Sequence, residues 1–484
     1  MSGIFGVITK NGNNCSQDLF YGTDYHTHLG TEYAGMAVLG DDFFRRIHNV
    51  SQSQFKSKFY EEYSQIKGTK GIGVISAVEE QPIYLNSKFG PFCIVTNGFI
   101  ENSHELANKL LVSGISFAEF SSRGINMTEL VAKLINQGRD LIDGIEKMFD
   151  QIQGSCSFLL LNKDGVYAAR DRAGYSPLIL GEHKDAIAVT TETCAFVNNG
   201  FKVVKDLGPG EIVLLTESGM ESKLKAKKSN QICSFLWIYT GFPASNYEGI
   251  NAEIVREKCG AHLARRDKGL EVDVVCGVPD SGVAHAIGYA NESKQPYRRP
   301  LVKYTPGYGR SYTPPDQETR DLIAKMKIIP IKEIIENNRI VVCDDSIVRG
   351  TQLKNFTVKK FLDSKVKEIH VRAACPPLMF PCIFNISTRS IAELAARKAI
   401  KKIEGKDIEN VSEYVDSNSD KYKKMVKLIG EELQVTSLKY QTVEDMVDAI
   451  GLPSDKICLY CWTGKIGNKK CGTNQSCSHP CSAD

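Results

Sequence analysis

The run Ile340-Val341-Val342-Cys343-Asp344-Asp345-Ser346-Ile347-Val348-Arg349-Gly350-Thr351 holds the densest chemistry in the chain. Its β-branched apolar residues read as a buried strand, two carboxylates stand at the strand's end, and a Ser/Gly/Thr loop leads into a new helix. Backbone N–H groups of such a loop, together with the helix N-terminus after it, can hold a phosphate. Asp344 and Asp345 can bind ribose hydroxyls and a hydrated Mg²⁺. The outline is that of a phosphosugar site, although a bare Asp-Asp after a strand also serves as an ordinary helix cap. A second loop of phosphate scale, Pro279-Asp280-Ser281-Gly282, follows the apolar run 272–278 and again feeds an apparent helix.

The elements that must position these residues follow from composition and pattern. At 484 residues the chain is too long for one ordinary core, so two domains are expected. Residues 1–225 are strand-rich, with apolar segments 71–77, 92–96 and 157–161 between Gly/Asn/Asp turns, as in a layered sheet domain. The polar stretch 222–230 lacks apolar periodicity and is the expected connection. From Cys233 onward, buried-strand runs at 272–278, 340–342 and 369–373 alternate with helical patterns, which predicts a parallel α/β sheet with its site at the carboxyl ends of the strands. Residues 467–484 are expected to be disordered.

Sixty Lys and Arg against 57 Asp and Glu give no reason to expect nucleic acid or an anionic membrane as partner. The start Met1-Ser2-Gly3-Ile4-Phe5-Gly6 lacks a secretion signal's basic and apolar regions, so a cytoplasmic location is expected. In that compartment the 15 cysteines are read as metal ligands or small buried hydrophobes rather than disulfides.

The twelve-residue run resembles the 5-phosphoribosyl 1-pyrophosphate (PRPP) signature of type I phosphoribosyltransferases. Between the two loops, Lys303-Tyr304-Thr305-Pro306-Gly307-Tyr308-Gly309-Arg310-Ser311-Tyr312 is too rich in Gly and Pro for a buried element, and Arg320, Lys325 and Lys327 follow. We read this segment as a mobile basic flap; for the lysines alone, a solvated helix face is the alternative. Cations folded over departing pyrophosphate would neutralise its charge and exclude water.

In order and spacing, the Val-Pro-Asp-Ser loop, the Gly-Arg-Ser-Tyr flap and the 340–351 run resemble glutamine PRPP amidotransferases. Arg170-Asp171, Thr191-Glu192-Thr193-Cys194-Ala195, Pro209-Gly210-Glu211 and a late helix start at Ser437-Leu438-Lys439-Tyr440 extend the resemblance over nearly the whole chain. It implies an N-terminal nucleophile (Ntn) hydrolase-like αββα domain at 1–225 and a type I phosphoribosyltransferase domain at 233–462. PRPP would be bound by Lys303, Arg310, Arg320, Lys325, Lys327, Asp344, Asp345, Ser346, Ile347, Val348, Arg349, Gly350 and Thr351, and Mg²⁺ by Ser281, Asp344 and Asp345. A homo-oligomer is expected.

Cys233, Cys382, Cys458 and Cys461 stand in contexts resembling the iron-sulfur branch of that family. Four thiolates from distant segments suit a [4Fe-4S] cluster or structural zinc, and the family context implies a structural [4Fe-4S] cluster. Cys471, Cys477 and Cys481 with His479 form a second group in the tail, read as a loose, solvated end.

The first half departs from what its chemistry needs. Glutaminases of this family use an N-terminal cysteine, and Ser2 stands there. A serine hydroxyl is far less ionised at neutral pH than a thiol. The family run Gln-His-Arg-Gly-Gln-Glu is Thr27-His28-Leu29-Gly30-Thr31-Glu32, the arginine that clamps the glutamine α-carboxylate falls at Ile75 or Ser76, and the aspartate that holds its α-amine is Met127. Asn97-Gly98 resembles the oxyanion-stabilising pair, and is equally an ordinary turn sequence. Ser2 alone would suit an engineered trap; the combined changes imply a degenerate glutaminase domain. The expected reaction is Mg²⁺-dependent displacement of pyrophosphate from PRPP by ammonia, from solution or a partner glutaminase. Transfer to another amine, or a silent PRPP- or nucleotide-binding regulator paired with an active paralogue, are the rival readings.

Overall fold

The computed structural model describes residues 2–121, 124–228, 231–304, 326–385, 390–466 and 469–470. The first half is built on two antiparallel sheets. One runs in the order Lys202–Asp206, Ile179–Glu182, Ala186–Thr190, Gly3–Thr9, Lys70–Ser76, Tyr33–Leu39, Phe43–Asn49. The other runs Gly219–Leu224, Ile212–Thr216, Gly165–Ala169, Gly154–Asn162, Gly90–Ile100, Ile83–Ser87. Ile4, Ile8, Ile72 and Val74 of the first meet Val95, Leu159, Leu161 and Val213 of the second in a buried layer. Since their other faces are covered as well, the central strands read as continuous apolar runs rather than alternating ones. Helices Met127–Ile135 and Leu141–Gln151 cover the second sheet, each started by a side-chain cap, from Asn126 and Asp140 respectively. Helix Ser16–Asp24 covers the first, burying Leu19 and Phe20 against Phe5 and Val7.

The second half holds a four-stranded parallel sheet in the order Val274–Gly277, Arg339–Asp344, Glu368–Ala373, Ser437–Tyr440. Val274, Cys276, Ile340 and Val342 pack to one side with Phe361, Met425 and Ile429, whereas Val275, Val341 and Cys343 pack to the other with Cys259, Ala286 and Tyr289. This period-2 division places helices on both faces.

Two boundaries differ from expectation. Ser437–Tyr440 is the fourth strand of the parallel sheet, and the helix begins only at Val443, capped by Thr442. A four-residue strand bearing one lysine has too short a period for its type to be read. The connection also starts later than residue 222: Gly219–Leu224 is an edge strand whose exposed polar face is what a sheet margin looks like in sequence. Of the tail, only Lys469–Lys470 is described, paired with Lys465–Ile466; the remainder lies outside the described residues. Among the described residues the cysteines are all free, and no helix is long and apolar enough to cross a membrane.

Candidate functional site

Strand Arg339–Asp344 lies between two parallel neighbours, so its carboxyl end opens into the crevice where such sheets bind ligands. Asp344 and Asp345 emerge there, both buried. Ser281 Oγ donates to Asp344 Oδ1 at 2.8 Å and the Asp345 N–H donates to the same oxygen at 3.0 Å, which fastens the two loops together. Burial, and then the neighbouring Asp345 charge, push the Asp344 carboxyl well above its ordinary range. Gly282 is required because a Cβ there would stand 2.0 Å from the Cys343 carbonyl oxygen.

In the 346–351 loop, Ile347 is anchored in one buried cluster and Val348 packs against another, leaving backbone as their contribution to a ligand. Gly350 has φ +77°, a left-handed turn that favours glycine. The Arg349 guanidinium pairs with Glu393 at 2.8 Å. Lys303 lies on a two-stranded ribbon, Leu301–Lys303 with Ile328–Pro330, and its ammonium reaches Asp280 of the second loop at 2.7 Å. Lys327 leads into the ribbon's return strand, and its carbonyl accepts from the Tyr304 N–H at 2.7 Å. Arg310, Arg320 and Lys325 lie outside the described residues.

A second site surrounds Ser2, which is buried. Its N–H donates to Asn97 Oδ1 at 3.1 Å, and the Ala77 N–H lies 3.4 Å from its Oγ. Asn97 is 1 % exposed, and its Nδ2 has no hydrogen-bond partner among the described residues. Gly98 has φ +151°, and a Cβ there would meet the Ser155 carbonyl oxygen at 2.0 Å. The pair lies within strand Gly90–Ile100, in register with Cys156 and Ser157, so the ordinary-turn reading of Asn97-Gly98 does not hold.

Ser2 opens on a recess that Gly98, Phe99, Met127, Val131 and Glu79 also line, and among the described residues neither Arg nor Lys stands in its wall. Ile75 and Ser76 are both buried, and Ser76 Oγ accepts from the Glu79 N–H at 3.1 Å. Leu29 is half-buried, with its N–H on the His26 carbonyl. Glu79 escaped the sequence reading: within Val-Glu-Glu-Gln-Pro it looks like a solvated turn, yet it is 3 % exposed. Its carboxylate accepts from the Met127 N–H at 2.8 Å and the Thr128 N–H at 3.3 Å, at the start of a helix whose dipole favours a negative charge.

A third pocket is lined by Cys233, Cys382, Cys458 and Cys461 with Tyr175 and Phe384, whose rings stack at 3.7 Å. Parallel pairing of Ile232–Cys233 with Ile457–Cys458 places two of the thiols in register across more than 200 residues of sequence. A hydrogen bond with Cys461 holds the Cys382 thiol below its usual range, whereas burial pushes Cys233 up to about 12. Among the described residues no three His, Cys, Asp or Glu side chains converge as a single bound ion would require.

Residues 71–198 match a family described as a glutamine amidotransferase domain. The chain is 31 % identical to the amidophosphoribosyltransferase of Methanocaldococcus jannaschii, covering 96 % of this chain and 97 % of that one. It is 30 % identical to the Bacillus subtilis amidophosphoribosyltransferase, over 96 % and 93 %. The structure of the B. subtilis glutamine PRPP amidotransferase complexed with ADP and GMP superposes with a TM-score of 0.81 at 29 % identity, covering 97 % of this chain and 99 % of that one.

Proposed function

We propose, from the premise that this chain belongs to the amidophosphoribosyltransferase family, that it forms 5-phosphoribosylamine from PRPP and ammonia, with glutamine hydrolysis weak or lost. It is an enzyme, a pentosyltransferase, with an Ntn hydrolase-like αββα unit followed by a type I phosphoribosyltransferase sheet. We assign residues 1–225 to the first and 233–462 to the second.

In this reading Asp344 and Asp345 hold the ribose hydroxyls, backbone N–H groups of 346–351 hold the 5-phosphate, and Lys303, Lys327, Arg310, Arg320 and Lys325 neutralise pyrophosphate. The nitrogen lone pair attacks C1, the C1–oxygen bond breaks with its electrons leaving on pyrophosphate, and the new amine loses a proton to water. Asp344, Asp345 and Ser281 would hold Mg²⁺, which when bound offsets the charge of the leaving group. Cys233, Cys382, Cys458 and Cys461 would hold a [4Fe-4S] cluster. The four thiols line one cavity, which is the arrangement a four-thiolate cluster needs. Such a cluster would cross-link the Cys233 strand to the chain's late segment and add folding free energy.

The observation that carries the loss of glutamine use is the wall of the Ser2 recess. Met127 stands there in place of the family's carboxylate, and among the described residues neither Arg nor Lys lines the wall to clamp a substrate carboxylate. Each charged contact is worth about 1.5–3 kcal/mol, so losing a clamp removes much of the binding on which proximity catalysis depends. The test is pyrophosphate release from PRPP with ammonium, with glutamine and with a series of small amines. Release with ammonium and not glutamine supports the proposal; faster release with another amine shifts the acceptor; release with none identifies a silent regulator.

A further inference from the structure

A carboxylate stands where the crevice of the second half would have to receive an anion. Asp280 lies in the Pro279–Gly282 loop, which follows strand Val274–Gly277 and is fastened to Asp344 through Ser281 Oγ at 2.8 Å. Asp344 and Asp345 already give this end of the sheet two carboxylates, and a third beside a diphosphate would repel it. The side chain is engaged, however: Asp280 Oδ2 accepts from Lys303 Nζ at 2.7 Å. Lys303 sits in register opposite Ile328 on the ribbon Leu301–Lys303 with Ile328–Pro330, so a paired strand carries its ammonium to the loop. The pair is uneven, with the lysine side chain 32 % exposed and the aspartate 74 % exposed, so the carboxylate can turn into water while the ammonium stays beside the loop.

We propose that Asp280 is a positioning residue that keeps the Lys303 ammonium beside the loop in the empty protein and competes with pyrophosphate for it when the crevice is filled. The proposal rests on the reading of this crevice as the PRPP site. A lysine has one ammonium with three donors, and a diphosphate group that takes those donors must first displace the Asp280 carboxylate. Bound pyrophosphate is therefore held less tightly than Lys303 alone would hold it, and the carboxylate is at hand to take the ammonium back as pyrophosphate departs. A solvated ion pair with no bearing on the ligand is the plain alternative, since exposed pairs often contribute little. The two differ in whether neutralising Asp280 changes pyrophosphate affinity, and in whether that change needs Lys303.

The experiment uses the full chain, with inorganic pyrophosphate and Mg²⁺ as the probe and titration calorimetry as the readout. Affinity is compared for the unsubstituted chain, Asp280→Asn, Lys303→Met and the double variant. Asp280→Asn should tighten pyrophosphate at least about threefold, and Asp280→Glu, which keeps the charge, should leave it within about twofold. In the Lys303→Met background the gain from Asp280→Asn should fall below about 1.5-fold, because the cycle isolates this pair from every other charge of the site, residues 305–325 included. In turnover with PRPP and ammonium, Asp280→Asn should lower the KM for PRPP and strengthen product inhibition by pyrophosphate, neither of which a merely structural loss would do. Unchanged or weaker pyrophosphate binding in Asp280→Asn overturns the inference, and so does an equal gain with and without Lys303, which would make Asp280 a plain repulsive charge. Both results leave the PRPP site standing. No pyrophosphate binding by the unsubstituted chain overturns that site and the inference together.

Discussion

Asp344 is enclosed beside a second carboxylate, and its raised pKa makes a signed prediction about stability. Between the ordinary carboxyl range and the raised folded value, the unfolded chain has released this proton and the folded chain has kept it. Stability therefore falls as pH rises through that window, and the penalty is complete above the folded value. Asp344→Asn should raise the melting temperature by ~2–4 °C at pH 8 and by less at pH 5, measured by thermal unfolding at both. It should also lower PRPP turnover at least ~100-fold, because the carboxylate acts on the ligand. A gain that shrinks with rising pH, or unchanged turnover, would contradict the assignment. At this scale the placement of the aspartates at the end of a buried strand was legible from the β-branched run before them. Glu79 was not, since its burial results from tertiary packing that no local pattern reports.

Among the elements, the central strands were legible as apolar runs, and their limits moved by a few residues: 71–77 became Lys70–Ser76 and 369–373 became Glu368–Ala373. Ser437–Tyr440 was misread because its four residues follow a helix, Asp420–Leu433, and precede another. Strand Gly90–Ile100 yields a prediction of its own. Gly98→Ala sets a Cβ against the Ser155 carbonyl of the paired strand at a φ that alanine avoids, and should cost about 2–4 kcal/mol. Gly90→Ala, also at positive φ but with nothing within 4 Å, should cost about 1 kcal/mol. Chemical denaturation of the two variants compares them directly; equal losses would mean that the close approach at Gly98 is relieved by a shift of the sheet. The Ile232–Cys233 and Ile457–Cys458 pairing carries the cluster proposal. Anaerobically purified protein should contain about four iron atoms per chain with a broad brown absorbance. Cys458→Ser should bleach it and lower the melting temperature, whereas Cys477→Ser should do neither. Stoichiometric zinc without iron would overturn the assignment.

For the molecule as a whole, one buried cluster runs from Phe5 and Phe20 of the first half through Trp237 and Tyr247 to Val341 and Tyr289 of the second. The first half thus supports the second by packing, whether or not it hydrolyses glutamine. Under the proposed function, that packing is the physical reason the first half would keep its fold after its glutaminase chemistry had gone. The division into two units was legible from length and from the change of pattern near residue 230, whereas the continuity of the core was not, because it joins residues that are hundreds of positions apart. Under the proposed function, the altered recess, rather than Ser2 alone, prevents glutamine use. The direct measurement is a pair of pyrophosphate-release progress curves at saturating PRPP and glutamine, one for the unsubstituted chain and one for Ser2→Cys. Both should stay near the rate without glutamine, because a thiolate gains nothing from a substrate that does not bind; a large glutamine-dependent gain in Ser2→Cys would show instead that Ser2 alone is responsible.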